Sequence, residues 1–284
     1  PSGWLEVDKY EIVEPEDSVT TSDIHIRTHY RNLKKCEDDS IGSIRICAFD
    51  IECSSSHGDF PQAIKTYSKL ANDIMIHIQK YDYHSLSSDE KDQYIRDIFN
   101  YAFDIKSNID LNVDDIHKVY TFKNRKPDDS RINKVVDRIV QFLKPIKETK
   151  IREKAKVVNR YISLIKNTCD ATFPSIEGDK CVQIASTFMD YGSHTYMKKH
   201  ILTLGKCNPI QDDSIELVKC KNEKQLLLKW QQLIVKYDPD IITGYNTFSF
   251  DMPYMYDRAC ELGIREQFTQ LGRFEDQSEE IKEK

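Results

Sequence analysis

Two carboxylates, Asp50 and Glu52, lie two positions apart at the end of the apolar run 44–53. Successive side chains of a β-strand point to opposite faces, so both carboxylates are expected on the same face. At neutral pH such neighbours need a cation, a shared proton or full solvent. Carboxylate oxygens suit Mg²⁺ or Mn²⁺. The pair is therefore a candidate metal site, with ordinary surface carboxylates as the alternative.

A third carboxylate, Asp251, follows a second short apolar run, 241–243, and the chain breaker Gly244. If both runs are strands of one sheet, the three carboxylates meet at its rim. The alternative role for Asp251 is to cap a helix that has Pro253 in its first turn. Asn246, in the same segment, is either a contact residue or a turn residue at a strand end.

Alternating or continuous apolar runs predict strands, and a period of about 3.6 predicts helices. The predicted strands are 3–13, 44–53, 180–190, 194–204, 215–218 and 241–243. The helical stripes cover 67–83, 95–105, 132–143, 151–165, 226–237 and 252–262, with Asn222 and Gln225 as a capping box before the fifth. Residues 124–130 are expected to form an exposed loop. Strands and helices alternate outside a helical block, so the predicted class is α/β.

The composition excludes several classes of protein. Of the 284 residues, 39% are hydrophobic and 31% charged, which excludes collagen-like, low-complexity and wholly disordered chains. No apolar run is long enough to cross a membrane, and the start lacks a signal peptide. The eight cysteines form no C-x-x-C pair and are expected to be reduced thiols of an intracellular protein. The terminal residues suggest a segment of a longer protein.

Positive charge is concentrated in the middle of the chain. Residues 62–176 contain 21 Lys and Arg against 16 Asp and Glu, although the whole chain has a net charge of −6. Arg152, Lys154 and Lys156 belong to this excess. A solvated helix surface is the simpler interpretation, and contact with nucleic-acid phosphates is the other.

The carboxylate segments resemble two motifs of family B DNA polymerases. Phe49-Asp50-Ile51-Glu52 resembles the first exonuclease motif of that family, and Asn246-x-x-x-Phe250-Asp251 resembles the second. Several flanking segments are similar to the delta-type branch of eukaryotes and large DNA viruses: 57–61, 182–185, 204–207 and 226–230. Gly3 to Val7 resembles the end of the family's N-terminal domain.

The resemblance implies a ribonuclease-H-like exonuclease domain with a long, mainly helical insertion. Residues 1–40 would be the end of the N-terminal domain and a linker, and 41–284 the truncated 3′–5′ exonuclease domain, with the insertion at about 64–176. An insertion of this length favours a large DNA virus over a cellular source. The family's third motif, Tyr-x-x-x-Asp, has no match between Asp251 and Lys284.

In function, the resemblance implies a fragment of a DNA-directed DNA polymerase involved in DNA replication that carries most of the proofreading exonuclease. Two Mg²⁺ or Mn²⁺ ions would hydrolyse the 3′-terminal phosphodiester. Asp50 would bridge the ions, Glu52 would bind one and orient the water, and Asp251 would hold the second. Asn246 would contact the single-stranded primer end. Because one ligand is missing, the isolated chain is expected to be inactive.

The implied partners are a DNA primer-template and its single-stranded 3′ end, with a sliding clamp as a further candidate and no membrane. The implied location is the nucleus or a cytoplasmic viral replication site. A freestanding exonuclease of the same fold and a non-catalytic scaffold that binds DNA or a protein remain alternatives. The aromatic residues Tyr245, Phe248 and Phe250 are expected to pack in the core, with base stacking as the less favoured role.

Overall fold

A computed structural model describes residues 4–38, 40–55, 58–106, 111–148 and 150–274. Gly3 and His57, which belong to two of the quoted motif segments, lie outside the described residues. The chain forms two compact units. The first, here called the sheet unit, consists of Pro1–Ala63 and Asp179–Lys284, and the second, the helical unit, of Ile64–Gly178.

The strands all belong to the sheet unit. They are β1 (Leu5–Val7), β2 (Glu11–Ile12), β3 (Ile26–Arg27), β4 (Leu33–Lys35), β5 (Arg45–Cys53), β6 (Cys181–Asp190), β7 (Lys198–Leu204), β8 (Ile215–Cys220) and β9 (Ile241–Thr243). The single strand expected over 3–13 is wrong. The chain changes partner within it, because β1 pairs with β4 whereas β2 pairs with β3.

The main sheet has five strands in the order β8-β7-β6-β5-β9. Strand β6 runs antiparallel to both β5 and β7, while β8 is parallel to β7 and β9 is parallel to β5. Along β5 the side chains of Cys47, Phe49 and Ile51 are buried, and those of Asp50 and Glu52 are exposed. One face of β5 therefore faces the core and the other carries the carboxylates.

Three α-helices complete the described part of the sheet unit, and they follow the four α-helices of the helical unit along the chain: α5 (Glu223–Tyr237), α6 (Asp251–Glu261) and α7 (Arg265–Phe268). The side chain of Asn222 accepts a hydrogen bond from the backbone N–H of Gln225 at 2.9 Å and caps α5. Trp230 of α5 packs on Phe49 with ring centroids 4.9 Å apart, and its Nε1 donates to the Ser186 hydroxyl at 3.2 Å. These contacts fix α5 against β5 and β6.

The helical unit is built from α1 (Ser68–Lys80), α2 (Ser88–Ala102), α3 (Asp129–Phe142) and α4 (Ile151–Asp170). The helices predicted from the apolar stripes are confirmed, with bounds that shift by several residues. The loop expected over 124–130 is shorter, because Asp128 caps α3 by accepting from the N–H of Arg131 at 2.9 Å. The apolar stripes meet in a core that includes Ile74, Phe99 and Val135.

None of the helices in the described ranges is long and apolar enough to cross a membrane. All eight cysteines are free thiols, as predicted.

Candidate functional site

The two strands that carry the sequence motifs are neighbours in the sheet. Strand β9 runs parallel to β5, with Ile241 opposite Ile46 and Thr243 opposite Ala48. The chain leaves β9 at Gly244, where a Cβ atom would lie well inside 3.0 Å of the Phe49 carbonyl oxygen and the Thr247 hydroxyl. A side chain at this position would push the two strands apart, so glycine permits the close approach.

The segment between β9 and α6 turns sharply at Asn246, which has a positive φ of 56°. Asparagine tolerates this left-handed conformation better than most residues. The carbonyl of Asn246 accepts hydrogen bonds from the N–H groups of Ser249 and Phe250, both at 3.0 Å. The backbone of Asn246 therefore forms a turn, as one of the two interpretations predicted. Its side chain is exposed and remains accessible to a ligand.

Asp251 is the first residue of α6 and is 2% exposed. Its Oδ1 accepts a hydrogen bond from the backbone N–H of Ile51 at 3.3 Å. Ile51 lies between Asp50 and Glu52, beyond the last residue of β5 that pairs with β9. Strand β9 is too short to reach the N–H of Ile51, and the Asp251 carboxylate accepts the hydrogen bond from this N–H in its place.

The pKa of the Asp251 carboxyl is raised above its ordinary value, first by burial and then by the negative charge of Asp50. Two backbone N–H groups, those of Asp251 and Ile51, act in the opposite direction. A nearby cation would stabilise the charged form of this carboxyl. Oxygen donors with unrelieved negative charge fit a hard divalent ion.

The structure brings Asp251 to the strand of Asp50 and Glu52 but does not gather a complete metal cluster. In the described ranges, no three His, Cys, Asp or Glu side chains are close enough together to hold a metal ion. Glu52 is exposed on the same face of β5 as Asp50. What brings Asp251 towards Asp50 and Glu52 is the hydrogen bond that its carboxylate accepts from the N–H of Ile51, the residue between them.

The expected core packing is wrong for two of the three aromatic residues. Tyr245 is 93% exposed and Phe248 is 82% exposed, because the turn after β9 directs both rings to solvent. Phe250 does pack, with its ring centroid 5.4 Å from that of Phe60 and 5.3 Å from that of Tyr254. Tyr245 and Phe248 follow the apolar run 241–243 and the chain breaker Gly244, and this position in a turn was the sequence feature that could have predicted their exposure.

A buried ion pair that the sequence did not indicate anchors the helix that begins at Asp251. Arg258 of α6 is fully buried and donates to both carboxylate oxygens of Glu223, at 2.9 and 2.7 Å. It also donates to the Ala63 carbonyl at 3.0 Å and contacts Glu261. Glu223 in turn accepts from the N–H of Cys181 at 2.8 Å. The pair links α6 to α5 and to the first residue of β6.

Comparison with known proteins agrees with the motifs. The sequence model of the family B DNA polymerase exonuclease domain matches residues 1–126 and 161–284. A DNA polymerase of Pyramimonas orientalis virus is 32% identical over 310 aligned positions, which cover 100% of this chain and 25% of that protein. A DNA polymerase of Phaeocystis pouchetii virus is 28% identical, covering 96% of this chain and 31% of that protein.

Cellular relatives match over a shorter part of the chain. The DNA polymerase delta catalytic subunit of Arabidopsis thaliana is 40% identical over 101 residues, covering 36% of this chain and 9% of that protein. The chain therefore spans less than a third of the length of these relatives. The family's exonuclease domain implies a ribonuclease-H-like fold, which agrees with the mixed five-stranded sheet. With most of its residues matched by that domain, the chain belongs to the exonuclease-domain family of the family B DNA polymerases.

Proposed function

We propose that this chain is the 3′–5′ proofreading exonuclease region of a DNA-directed DNA polymerase that replicates DNA. The observation that carries the proposal is the hydrogen bond from the Ile51 N–H to Asp251, which brings the second motif to the backbone between the two acids of the first. The substrate would be the single-stranded 3′ end of a primer-template. The proposed location is the nucleus or a cytoplasmic viral replication site.

In this proposal Asp50, Glu52 and Asp251 hold two divalent ions, Mg²⁺ or Mn²⁺. When bound, such ions lower the pKa of a water molecule and stabilise the attacking and leaving oxygens of the phosphodiester. The exposed carboxylates of Asp50 and Glu52 are accessible from solvent. Asp251, held by the Ile51 N–H, would face the same phosphate from the side of α6. The proposed protein role is to fix carboxylate oxygens around the scissile phosphate.

The single-stranded end would be held beside the carboxylates by the turn after β9. Asn246 has an exposed side chain with both a donor and an acceptor. The exposed rings of Tyr245 and Phe248 offer faces on which bases could stack without sequence preference. A mismatched terminus reaches this site at a lower cost because it is already partly unpaired.

We also propose that about 64–176 is an insertion in the exonuclease domain and that 1–40 is the end of the polymerase N-terminal domain. The family model leaves residues 127–160 unmatched, and the cellular delta-type match covers 101 residues, whereas the polymerases of the two viruses align along nearly the whole chain. This pattern supports an insertion shared with those two viral polymerases. A sliding clamp is a further proposed partner of the complete polymerase.

The test is excision by the natural full-length protein. The double substitution Asp50→Ala with Glu52→Ala is expected to abolish Mg²⁺-dependent degradation of a single-stranded 3′ end, because the ions lose their exposed ligands. Asp251→Asn should have the same effect while keeping an oxygen acceptor for the Ile51 N–H. Polymerisation on a matched primer and the melting temperature provide the controls for folding.

Excision that continues at an undiminished rate in the double variant would refute the assignment of these acids. Excision by the wild-type protein that persists after removal of divalent ions with EDTA would refute the metal mechanism instead. Loss of excision together with loss of the folded state would be resolved by Asp251→Asn, whose side chain has nearly the same shape.

A further inference from the structure

The helical unit contains a groove between the C-terminal end of α1 and the connection from α3 to α4. The groove has a volume of about 450 Å³, a size typical of small-ligand sites. Its apolar floor includes Met75, Ile78 and Leu143, which belong to the core of the unit. We call it the Tyr83 groove, after the tyrosine that lines it. Every residue that lines it belongs to the helical unit.

Two lysines of the groove form no ion pair with an acid among the described residues. Lys144 and Lys154 line the groove and are exposed, and in the part of the chain that the structure describes neither forms an ion pair. The third lysine, Lys80, is bound to Asp115 at 2.7 Å. Of the described residues that line the groove, Asp82 is the acid. The groove therefore has a net positive charge and fits an anion.

The backbone of Lys144 is held by Tyr161 of α4. The Tyr161 hydroxyl donates to the Lys144 carbonyl at 3.2 Å and accepts from the Lys144 N–H at 3.3 Å. Lys154 lies seven residues before Tyr161, two helical turns away, and so on the same face of α4. Lys156, two residues after Lys154, is about 200° further around the helix and does not line the groove.

The groove also presents aromatic rings. Tyr81, Tyr83 and Tyr161 all line it. Tyr83 is only 1% exposed, whereas the rings of Tyr81 and Tyr161 are half-buried. The two lysines suit an anion, and the half-buried rings suit a planar apolar group, so the lining describes a ligand with both kinds of chemistry.

We propose that the Tyr83 groove binds a nucleotide, with its phosphate at Lys144 and Lys154 and its base against the rings of Tyr81 and Tyr161. The nucleotide is either one unit of a DNA strand or a free mononucleotide. The proposal rests on the proposed action of the chain on DNA, and it makes the helical unit a second nucleotide contact, separate from the three carboxylates. Its readout is binding rather than cleavage, so the two proposals can fail separately.

The test measures binding of thymidine 5′-monophosphate and of a four-residue oligo(dT) to the 284-residue chain by isothermal titration calorimetry in the presence of EDTA, so that the three carboxylates hold no divalent ion that could bind the probes. Lys144→Ala with Lys154→Ala is expected to weaken binding of either probe about tenfold or more, since charged hydrogen-bond donors to the phosphate are lost. The matched control, Arg152→Ala with Lys156→Ala, removes the same charge from α4 outside the groove and should leave the affinity for the mononucleotide unchanged. All four side chains are exposed, so folding should be preserved.

Tighter binding of oligo(dT) than of the mononucleotide assigns the groove to a DNA strand, and equal binding assigns it to a free nucleotide; both support the site. Equal losses in the two double variants would instead indicate a diffuse basic surface and overturn the proposal. Absence of binding to the wild-type chain would also overturn it. Displacement of the mononucleotide by poly-glutamate at equal concentration would point to an acidic protein partner and overturn it as well.

Discussion

At the scale of single residues, the site depends on a glycine that lets two strands approach. Gly244→Ala would place a methyl group against the Phe49 carbonyl and the Thr247 hydroxyl. A backbone carbonyl cannot rotate away, so the end of β9 must move, at a cost of about 2 kcal/mol. The same movement would displace Asn246 and Asp251. We expect a lower free energy of unfolding in urea and weaker excision by the full-length protein.

Gly42→Ala is the matched control for this prediction. A Cβ atom there would lie 3.5 Å from the Trp4 ring, which is ordinary van der Waals contact, and the residue has no positive φ. Its free energy of unfolding should therefore change little. Equal stability of the wild type and Gly244→Ala would show that the strands do not need this close approach.

At the scale of elements, α6 positions Asp251 through the buried pair of Arg258 and Glu223. Glu223→Leu removes the two-point partner of the buried Arg258 and leaves it the contact with Glu261, so the change should cost about 3 kcal/mol of unfolding free energy. Replacement of both, Glu223→Leu with Arg258→Met, should be less destabilising than the single change, because apolar residues can fill the space without a charge. Chemical denaturation of the three proteins checks this prediction.

A readout at the metal site separates a positioning role from plain stability. If the pair positions α6, the double variant should need a higher Mg²⁺ concentration for half-maximal excision even where it is fully folded, since Asp251 is then less firmly placed. A double variant more destabilised than Glu223→Leu alone would contradict the interpretation of a costly buried charge. An unchanged Mg²⁺ requirement would limit the pair to a structural role.

At the scale of the whole molecule, the basic surface of the helical unit is expected to contribute affinity for duplex DNA that depends on salt. Arg152, Lys154 and Lys156 lie on the exposed first turns of α4. Each phosphate contact contributes about 0.9 to the slope of log affinity against log salt. Neutralising all three with glutamine should reduce the slope by about 2 to 3, as measured by fluorescence anisotropy over a range of NaCl concentrations.

The matched control for the salt experiment removes three exposed lysines of the sheet unit, Lys206, Lys221 and Lys224. Their neutralisation changes the net charge of the chain by the same amount. A slope that falls equally in both triple variants would indicate a general charge effect, and a slope that stays unchanged in the α4 variant would make this helix an ordinary solvated surface.

Sequence patterns were sufficient for the elements and for the family. The apolar run 44–53 predicted β5, and the helical stripes predicted α1 to α6, because burial of one helix face imposes a period on the sequence. The motif spelling around Asp50 and Asn246 identified the family that the comparisons show. Strand ends were less predictable. The run 3–13 forms two strands, β1 and β2, that pair with different strands, and a local pattern does not encode the pairing.

Tertiary structure alone decided which distant groups meet. The contact of Asp251 with the Ile51 backbone joins positions 200 residues apart, and it exists because β9 lies parallel to β5 and ends before it. The partnership of Arg258 with Glu223 and the Tyr83 groove likewise combine side chains from separate elements. A sequence determines its own periodicity and its chemical groups, whereas distances between remote residues follow from how the elements pack.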